Sequence, residues 1–216
     1  MIAVSGLTLF SLIDFLGVFA GAVGGAIAAR RNESYAFDFV GVLGLGFVSA
    51  LGGGITRDVL IGHGPPLAFA DIRYLITALF GAVVGSVIGA RAEARIKGSL
   101  LFLDAAALGL FAVAGATRGL DSGLSALPSL LLGITTAVGG GALRDVLSGR
   151  PPRIFERGEL YAIVAALSAA LFLVSVAFGL SRTLATVLST VTGFVIRLLA
   201  VRFGWQTRPI ERPDAV

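Results

Sequence analysis

One eleven-residue phrase occurs twice in this chain and limits the folds that are open to it. The first copy begins at Gly52 and the second at Gly139, and both follow the pattern GGGxxRDVLxG. The copies lie 87 residues apart, and a proline pair follows each of them within a few residues. Agreement at so many positions indicates an internal duplication, so we expect the fold to contain one structural unit twice.

Long apolar segments surround both copies of the phrase. Hydrophobic residues make up 56% of the chain and charged residues only 14%, whereas soluble domains carry about 25% charged residues. The 30 glycines suit close helix packing in lipid, where small residues allow backbones to approach each other. This composition predicts an all-α integral membrane protein.

Seven segments are long and apolar enough to span a bilayer, which takes about 17–25 residues. They cover approximately residues 7–29, 39–61, 72–90, 100–116, 127–147, 160–180 and 183–201. The duplication extends into segments one and four, where Asp14 and Asp104 each precede a similar motif, Gly17-Val18-Phe19-Ala20 and Gly109-Leu110-Phe111-Ala112. We therefore predict one membrane domain over residues 1–216. It contains repeats at about 5–92 and 98–180, a seventh helix at about 182–203, and a polar tail at 204–216.

The number of helices in each repeat predicts how the two repeats are oriented. Because three is odd, the second copy should enter the membrane from the opposite side, which gives an inverted repeat with a pseudo-two-fold axis in the membrane plane. With seven spans, twelve of the basic residues fall on one side and four on the other. The positive-inside rule then predicts a multi-pass protein of the cell (inner) membrane, with its N-terminus outside and its C-terminus in the cytoplasm.

Three consecutive glycines occur in each of segments two and five. They are Gly52, Gly53 and Gly54, and Gly139, Gly140 and Gly141. Since a glycine in a helix costs about 1 kcal/mol relative to alanine, we expect the helices to bend or break there. Non-helical backbone at membrane depth needs surrounding protein or a water-filled cavity. The pattern favours hinges beside an aqueous path between the repeats, with close helix crossing as the alternative.

Charged residues recur at matching positions in the two repeats, although a charge at membrane depth costs about 2.5–3.5 kcal/mol on insertion scales. We expect the following residues to line a pore or its vestibule: Thr56, Arg57, Asp58, Arg144, Asp145, Asp14 and Asp104. The Arg-Asp pairs could instead be helix ends at the membrane interface. Adjacent helical residues point about 100° apart, so each arginine need not pair with its own aspartate. For the two lone aspartates, cation coordination and structural hydrogen bonding are equally open.

Three other polar residues have simpler interpretations. Arg197 lies within segment seven, where extension towards the cytoplasmic interface is favoured over a role as an internal counter-charge. Asp38 precedes segment two and suits a helix N-cap. His63, the single histidine, is interpreted as a loop residue.

Several functional classes lack the residues that they require. The chain has no cysteine and one histidine, and it shows no nucleophile–base set, phosphate-binding loop or metal-ligand spacing. We therefore predict no enzymatic activity, no cofactor and no metal. The basic residues are divided among short loops and form no continuous patch, so no nucleic-acid partner is expected.

The doubled GGGxxRDVLxG, each copy ending a span of a three-helix unit, closely resembles the prokaryotic branch of the trimeric intracellular cation channel family. The same duplicated domain occurs in small bacterial membrane proteins described as glycine transporters. The resemblance covers the chain to about Val201. It implies a homotrimer surrounded by membrane lipids, with one pore in each protomer beside glycine-kinked helices two and five. Potassium would be the main permeant ion, and sodium would pass less well.

Two functions remain open at this point. The resemblance favours a passive channel for monovalent cations. Inverted repeats with broken helices are also typical of secondary transporters, and a helix N-terminus beyond a glycine triplet can bind a carboxylate. The alternative is therefore a transporter of glycine or another small zwitterion.

Overall fold

The protein is a bundle of helices. The computed structural model describes residues 9–32, 34–91, 96–155 and 160–206. In chain order the helices are α1 (Leu9–Arg30), α2 (Phe39–Ile61), α3 (Leu67–Ala70), α4 (Ile72–Arg91), α5 (Ile96–Asp121), α6 (Ala126–Leu147), α7 (Tyr161–Ala177) and α8 (Arg182–Arg202).

Most of the predicted spans agree closely with the observed helices. In the described part of the chain, six helices are long and apolar enough to cross a membrane, and α7 is an apolar helix of 17 residues. Two differences stand out. α5 extends beyond the predicted 100–116 at both ends, because a helix can continue past the charged residues that end an apolar window. The short helix α3 lies between the second and third predicted spans, where no helix was predicted.

Local sequence signals fix both ends of α2. The Asp38 side chain accepts a hydrogen bond from the backbone N–H of Gly41 at 2.7 Å, which confirms the predicted N-cap. At the other end Gly62 has a φ of 72°, a left-handed conformation that suits glycine. The N–H of Gly62 donates to the Asp58 carbonyl and closes the last turn. α2 therefore begins and ends where the sequence predicts.

α1 and α5 occupy equivalent central places in the bundle. α1 packs against α2 and α4, whereas α5 packs against α6, α7 and α8. The two halves meet where α1 contacts α5 and where α2 contacts α6. Small residues allow these approaches, as at Gly81, where a Cβ would lie 2.8 Å from the Ala22 Cβ.

The middle glycines of the two triplets form a close crossing between α2 and α6. A Cβ on Gly53 would overlap the Thr136 carbonyl oxygen, and a Cβ on Gly140 would overlap the Ser49 carbonyl oxygen. Thr136 and Gly140 lie 87 residues after Ser49 and Gly53, respectively, so the two contacts are reciprocal. Reciprocal contacts of this kind are what a two-fold relation between the repeats produces. Their opposite orientation in the membrane stays a prediction.

The helical backbone continues through both triplets, so neither helix breaks there. In a bilayer each unsatisfied backbone group costs several kcal/mol, which favours keeping the hydrogen-bonded turns. The alternative interpretation of the triplets, a close helix crossing, therefore describes Gly53 and Gly140.

The crossing predicts that even the smallest added side chain is harmful. Overpacking costs about 1–3 kcal/mol, and at Gly53 and Gly140 the opposing atoms belong to backbone that cannot rotate away. We expect Gly53→Ala and Gly140→Ala to lower the thermal stability of the purified protein in detergent. Gly44→Ala on the same α2 is the control, because its Cβ would meet no atom within 4 Å. The crossing would be contradicted if all three variants melted like the parent protein.

Candidate functional site

A cavity of about 470 Å³ lies between the two repeats. Apolar and small residues of α1, α2 and α5 form much of its wall, including Gly21, Gly24 and Ala107. Apart from Ser49 of α2, its polar lining comes from the second repeat and α8. The polar residues from these parts of the chain are Asp104, Arg144, Arg153, Tyr161 and Arg197.

A second cavity, of only about 10 Å³, is lined by residues of the first repeat, including α3, and by Phe111 of α5. Its polar residues are Asp14, Arg57, Asp58 and Tyr74. The last glycine of each triplet also lines a cavity: Gly54 lines the smaller one and Gly141 the larger one. Gly141, Arg144 and Tyr161 each lie 87 residues after Gly54, Arg57 and Tyr74. The two cavities are therefore duplicated sites that differ greatly in size.

The cluster beside the smaller cavity is fully paired. Arg57 Nε donates to Asp58 Oδ1 at 2.8 Å, and Arg57 Nη1 lies 3.4 Å from Asp14 Oδ1. The Tyr74 hydroxyl donates to Asp14 Oδ2 at 2.9 Å, and the Leu67 N–H donates to Asp58 Oδ2 at 2.8 Å. Arg57 is 1% exposed and Asp14 is 2% exposed. Burial of these charges is tolerable because each has a partner of opposite charge and further hydrogen bonds.

The cluster beside the larger cavity repeats the Arg-Asp pair, while the backbone and tyrosine contacts of its two aspartates are longer. Arg144 Nη2 donates to Asp145 Oδ1 at 2.7 Å, and the Arg153 N–H donates to Asp145 Oδ2 at 3.3 Å. The Tyr161 hydroxyl is 3.4 Å from Asp104 Oδ1. In both repeats the arginine of the phrase thus forms an ion pair with the aspartate that follows it. The sequence had left this pairing open, because neighbouring helical residues point in different directions.

Arg197 of α8 completes the second cluster, and its position corrects the favoured interpretation of this residue. It is 3% exposed and therefore does not extend to the interface. Its Nη2 lies 3.6 Å from Asp104 Oδ2, and its guanidinium carbon lies 5.0 Å from the centre of the Tyr161 ring. α8 packs against α5 and α7, and Gly193 permits a close approach to Ser168. This packing turns the arginine inward, where it acts as a counter-charge.

Asp104 differs from its counterpart Asp14 in what remains available for a ligand. Its side chain is 16% exposed, against 2% for Asp14. Its Oδ2 accepts no hydrogen bond, and the nearest cationic group is the Arg197 guanidinium at 3.6 Å. The negative charge of this carboxylate, which lines the larger cavity, can attract a cation there.

The structure divides the remaining predicted residues between packing and cavity positions. Gly52 packs towards Leu143, where a Cβ would lie 2.8 Å from Cδ1, and a Cβ on Gly139 would lie 3.3 Å from the Gly53 Cα. The Thr56 hydroxyl donates to the Gly52 carbonyl at 2.8 Å and lines neither cavity. Thr56 is thus a helix residue that bonds its own backbone.

Sequence reasoning missed the two tyrosines of these clusters. Tyr74 and Tyr161 lie 87 residues apart, the same offset as the duplicated phrases, so the repeat itself carried the signal. The motif match between Phe19 and Phe111 was misleading, because Phe19 stacks on Phe80 of α4 with ring centroids 5.9 Å apart. Phe111 lines the cavities instead.

Comparison with known proteins identifies the family to which this duplicated domain belongs. A family model described as glycine transporter matches residues 11–90 and 101–177. The UPF0126 membrane protein of Deinococcus radiodurans is 42% identical over 158 residues, which cover 73% of this chain and 72% of the relative. The UPF0126 inner membrane protein YadS of Escherichia coli K12 is 30% identical over 192 residues, covering 88% and 91%. With six membrane-length helices among its described residues, and relatives that are described as membrane proteins, the chain is a multi-pass membrane protein.

Two solved structures are similar to this chain in both fold and sequence. The trimeric intracellular cation channel orthologue of Rhodobacter sphaeroides superposes with a TM-score of 0.83 at 36% identity, covering 91% of this chain and 99% of that one. A structure from work on conductance through such channels gives 0.83 at 32% identity, covering 97% and 100%. The chain therefore belongs to the trimeric intracellular cation channel family, and the family model that matches its own duplicated domain is described as glycine transporter.

Proposed function

We propose that the protein is a channel for monovalent cations, chiefly potassium and to a lesser extent sodium, with an ion path between the two repeats of each protomer. The observation that carries this proposal is the cavity of about 470 Å³, which is lined by the Asp104 carboxylate with its side chain 16% exposed. A water molecule takes about 30 Å³ in the liquid, so the cavity has room for a partly hydrated ion. The relatives of known structure are cation channels.

The chemistry of the cavity favours a monovalent ion that passes through over a divalent ion that is held. Sites that bind divalent cations tightly surround the ion with several oxygen ligands. Here Asp104 is the carboxylate that lines the cavity in the described part of the chain. One carboxylate attracts a cation weakly enough for it to leave again, which conduction requires.

The arginines of the cavity are compatible with cation passage only if their charges are balanced. Arg144 is paired with Asp145 at 2.7 Å, and Arg197 lies 3.6 Å from Asp104. An incoming cation must compete with Arg197 for Asp104. The smaller cavity, of about 10 Å³, has room for about one water at most. In this proposal, the ion path is therefore closed to cations in the described conformation.

The transporter hypothesis is not favoured. Its support is the description of the family model, whereas the superposed structures come from cation channels.

The proposed ion path requires the negative charge of Asp104 for rapid potassium flux. Asp104→Asn removes the attractive charge and leaves Arg197 to repel cations, so potassium flux into liposomes should fall several-fold. The fall should be largest at low salt, where the Debye length is about 30 Å at 0.01 M. Asp121→Asn is the control, because it removes the same charge from an exposed pair with Arg182 at a site outside both cavities.

Folding is checked by comparing the size-exclusion profiles of the two variants. If well-folded Asp104→Asn protein carries potassium as fast as the parent at all salt concentrations, the ion path does not pass this carboxylate.

We further propose that the protein is a homotrimer, as the Rhodobacter sphaeroides relative is described. Large apolar side chains exposed on the outside of the bundle, such as Phe80 at 61% and Leu131 at 56%, are available to lipids or to neighbouring protomers. Native mass spectrometry from detergent is expected to give the mass of three chains. A monomer that conducts would contradict the trimer without affecting the pore within each protomer.

The orientation proposed for the chain follows from its basic residues. The predicted seven-span topology places twelve lysines and arginines on one side and four on the other, so the richer side is proposed to face the cytoplasm. A reporter that works only in the cytoplasm should then be active when it is fused after Val216. Activity of an exclusively periplasmic reporter at the same position would reverse the orientation.

A further inference from the structure

One aromatic side chain lies between the two duplicated cavities. Among the residues that the structure describes, Phe111 of α5 is the single residue that lines both the larger and the smaller cavity. We propose that the Phe111 ring is the gate that separates them and closes the ion path. This inference rests on the proposed channel function and adds the residue that controls it.

The ring is held in a seat made by two glycines of α1. A Cβ on Gly17 would lie 2.8 Å from Phe111 Cε1, and a Cβ on Gly21 would lie 3.5 Å from Phe111 Cε2. The two glycines are one helical turn apart, so together they leave a depression that fits an aromatic ring. Phe111 is 5% exposed, which shows how completely this seat and its surroundings enclose it.

The charges on either side explain why an apolar ring can act as a barrier at this position. Asp104 and Arg144 line the cavity on one side of Phe111, whereas Asp14 and Arg57 line the cavity on the other. Water and ions can be stabilised near either cluster but not against the ring itself. Hydrophobic constrictions stop ions in this way, because water leaves a narrow apolar passage. Conduction would require the ring to leave its seat or α1 to move away from α5.

The two repeats contribute different residues to the proposed gate. Asp14 and Asp104 lie 90 residues apart, and Gly21 and Phe111 are separated by the same 90 residues. At the position where α5 carries the ring, α1 therefore carries a glycine of the seat. One repeat supplies the blocking ring and the other supplies the space for it, so the two halves of the path are separated by one side chain.

The absence of cysteine from the sequence allows a direct test by thiol labelling. Ala50 lines the smaller cavity and Ala137 the larger one, and they are equivalent positions 87 residues apart. Single variants Ala50→Cys and Ala137→Cys are labelled in detergent with a cationic methanethiosulfonate reagent, and intact mass measures the rate. With Phe111 present, we expect the cysteine at 137 to react and the cysteine at 50 to be protected.

Phe111→Ala should raise the labelling rate at position 50 several-fold and leave the rate at 137 little changed. Phe19→Ala is the matched control, because this phenylalanine of α1 stacks on Phe80 of α4 and lines neither cavity. Phe111→Leu keeps most of the apolar volume and should give an intermediate rate. It also preserves the test if the alanine variant does not fold. Continued protection of position 50 in both Phe111 variants, with normal labelling at 137, would overturn the gate.

Potassium flux into liposomes separates failure of the gate from failure of the proposed function. If Phe111→Ala increases both labelling at 50 and potassium flux, the gate and the channel are both supported. If labelling at 50 increases but neither the parent nor any variant passes potassium, the ring is a barrier between the cavities and the channel function is wrong. If flux is unchanged and position 50 stays protected, the gate is wrong and the channel stands.

Discussion

Close contact between the backbones of α2 and α6 is the constraint on which the rest of this structure depends. Gly53 and Gly140 leave no room for a Cβ against the opposing carbonyl oxygens, and this reciprocal contact sets the spacing of the repeats. One residue further along each helix, Gly54 and Gly141 line the two cavities. Within each glycine triplet, the middle residue therefore packs against the other repeat and the last residue lines a cavity. Arg57 and Arg144 follow on the next turn and carry charge to the same cavities.

The same charged cluster exists twice, and its two copies differ because of one additional helix. In the first repeat Asp14 is bound by Arg57 and Tyr74 and is nearly inaccessible. In the second repeat Asp104 meets Arg197 of α8, which has no counterpart in the first repeat, at the longer distance of 3.6 Å. A buried pair with good geometry is costly to break, and the Arg197–Asp104 distance is longer than the distances in the first cluster. The duplication thus provides one fully paired copy and one copy that borders the larger cavity.

The sequence predicted the helices better than it predicted which way their side chains face. The bounds of α2 follow from Asp38 and Gly62, which act locally, and the repeat follows from the shared offset of 87 residues. The inward position of Arg197 depends on how α8 packs against α5 and α7, and no local pattern encodes that contact. For the same reason the matching motifs around Phe19 and Phe111 place one ring against α4 and the other between the cavities.

The central claim is that the space between the repeats conducts cations, and recording from the purified protein in planar bilayers tests it most directly. With a potassium chloride gradient across the bilayer, the account predicts unitary currents whose reversal potential lies close to that of potassium. When sodium replaces potassium on one side, the reversal potential should shift in the direction expected for a channel that is more permeable to potassium than to sodium. Silent bilayers that contain folded protein, or currents that reverse near the chloride potential, would contradict the claim.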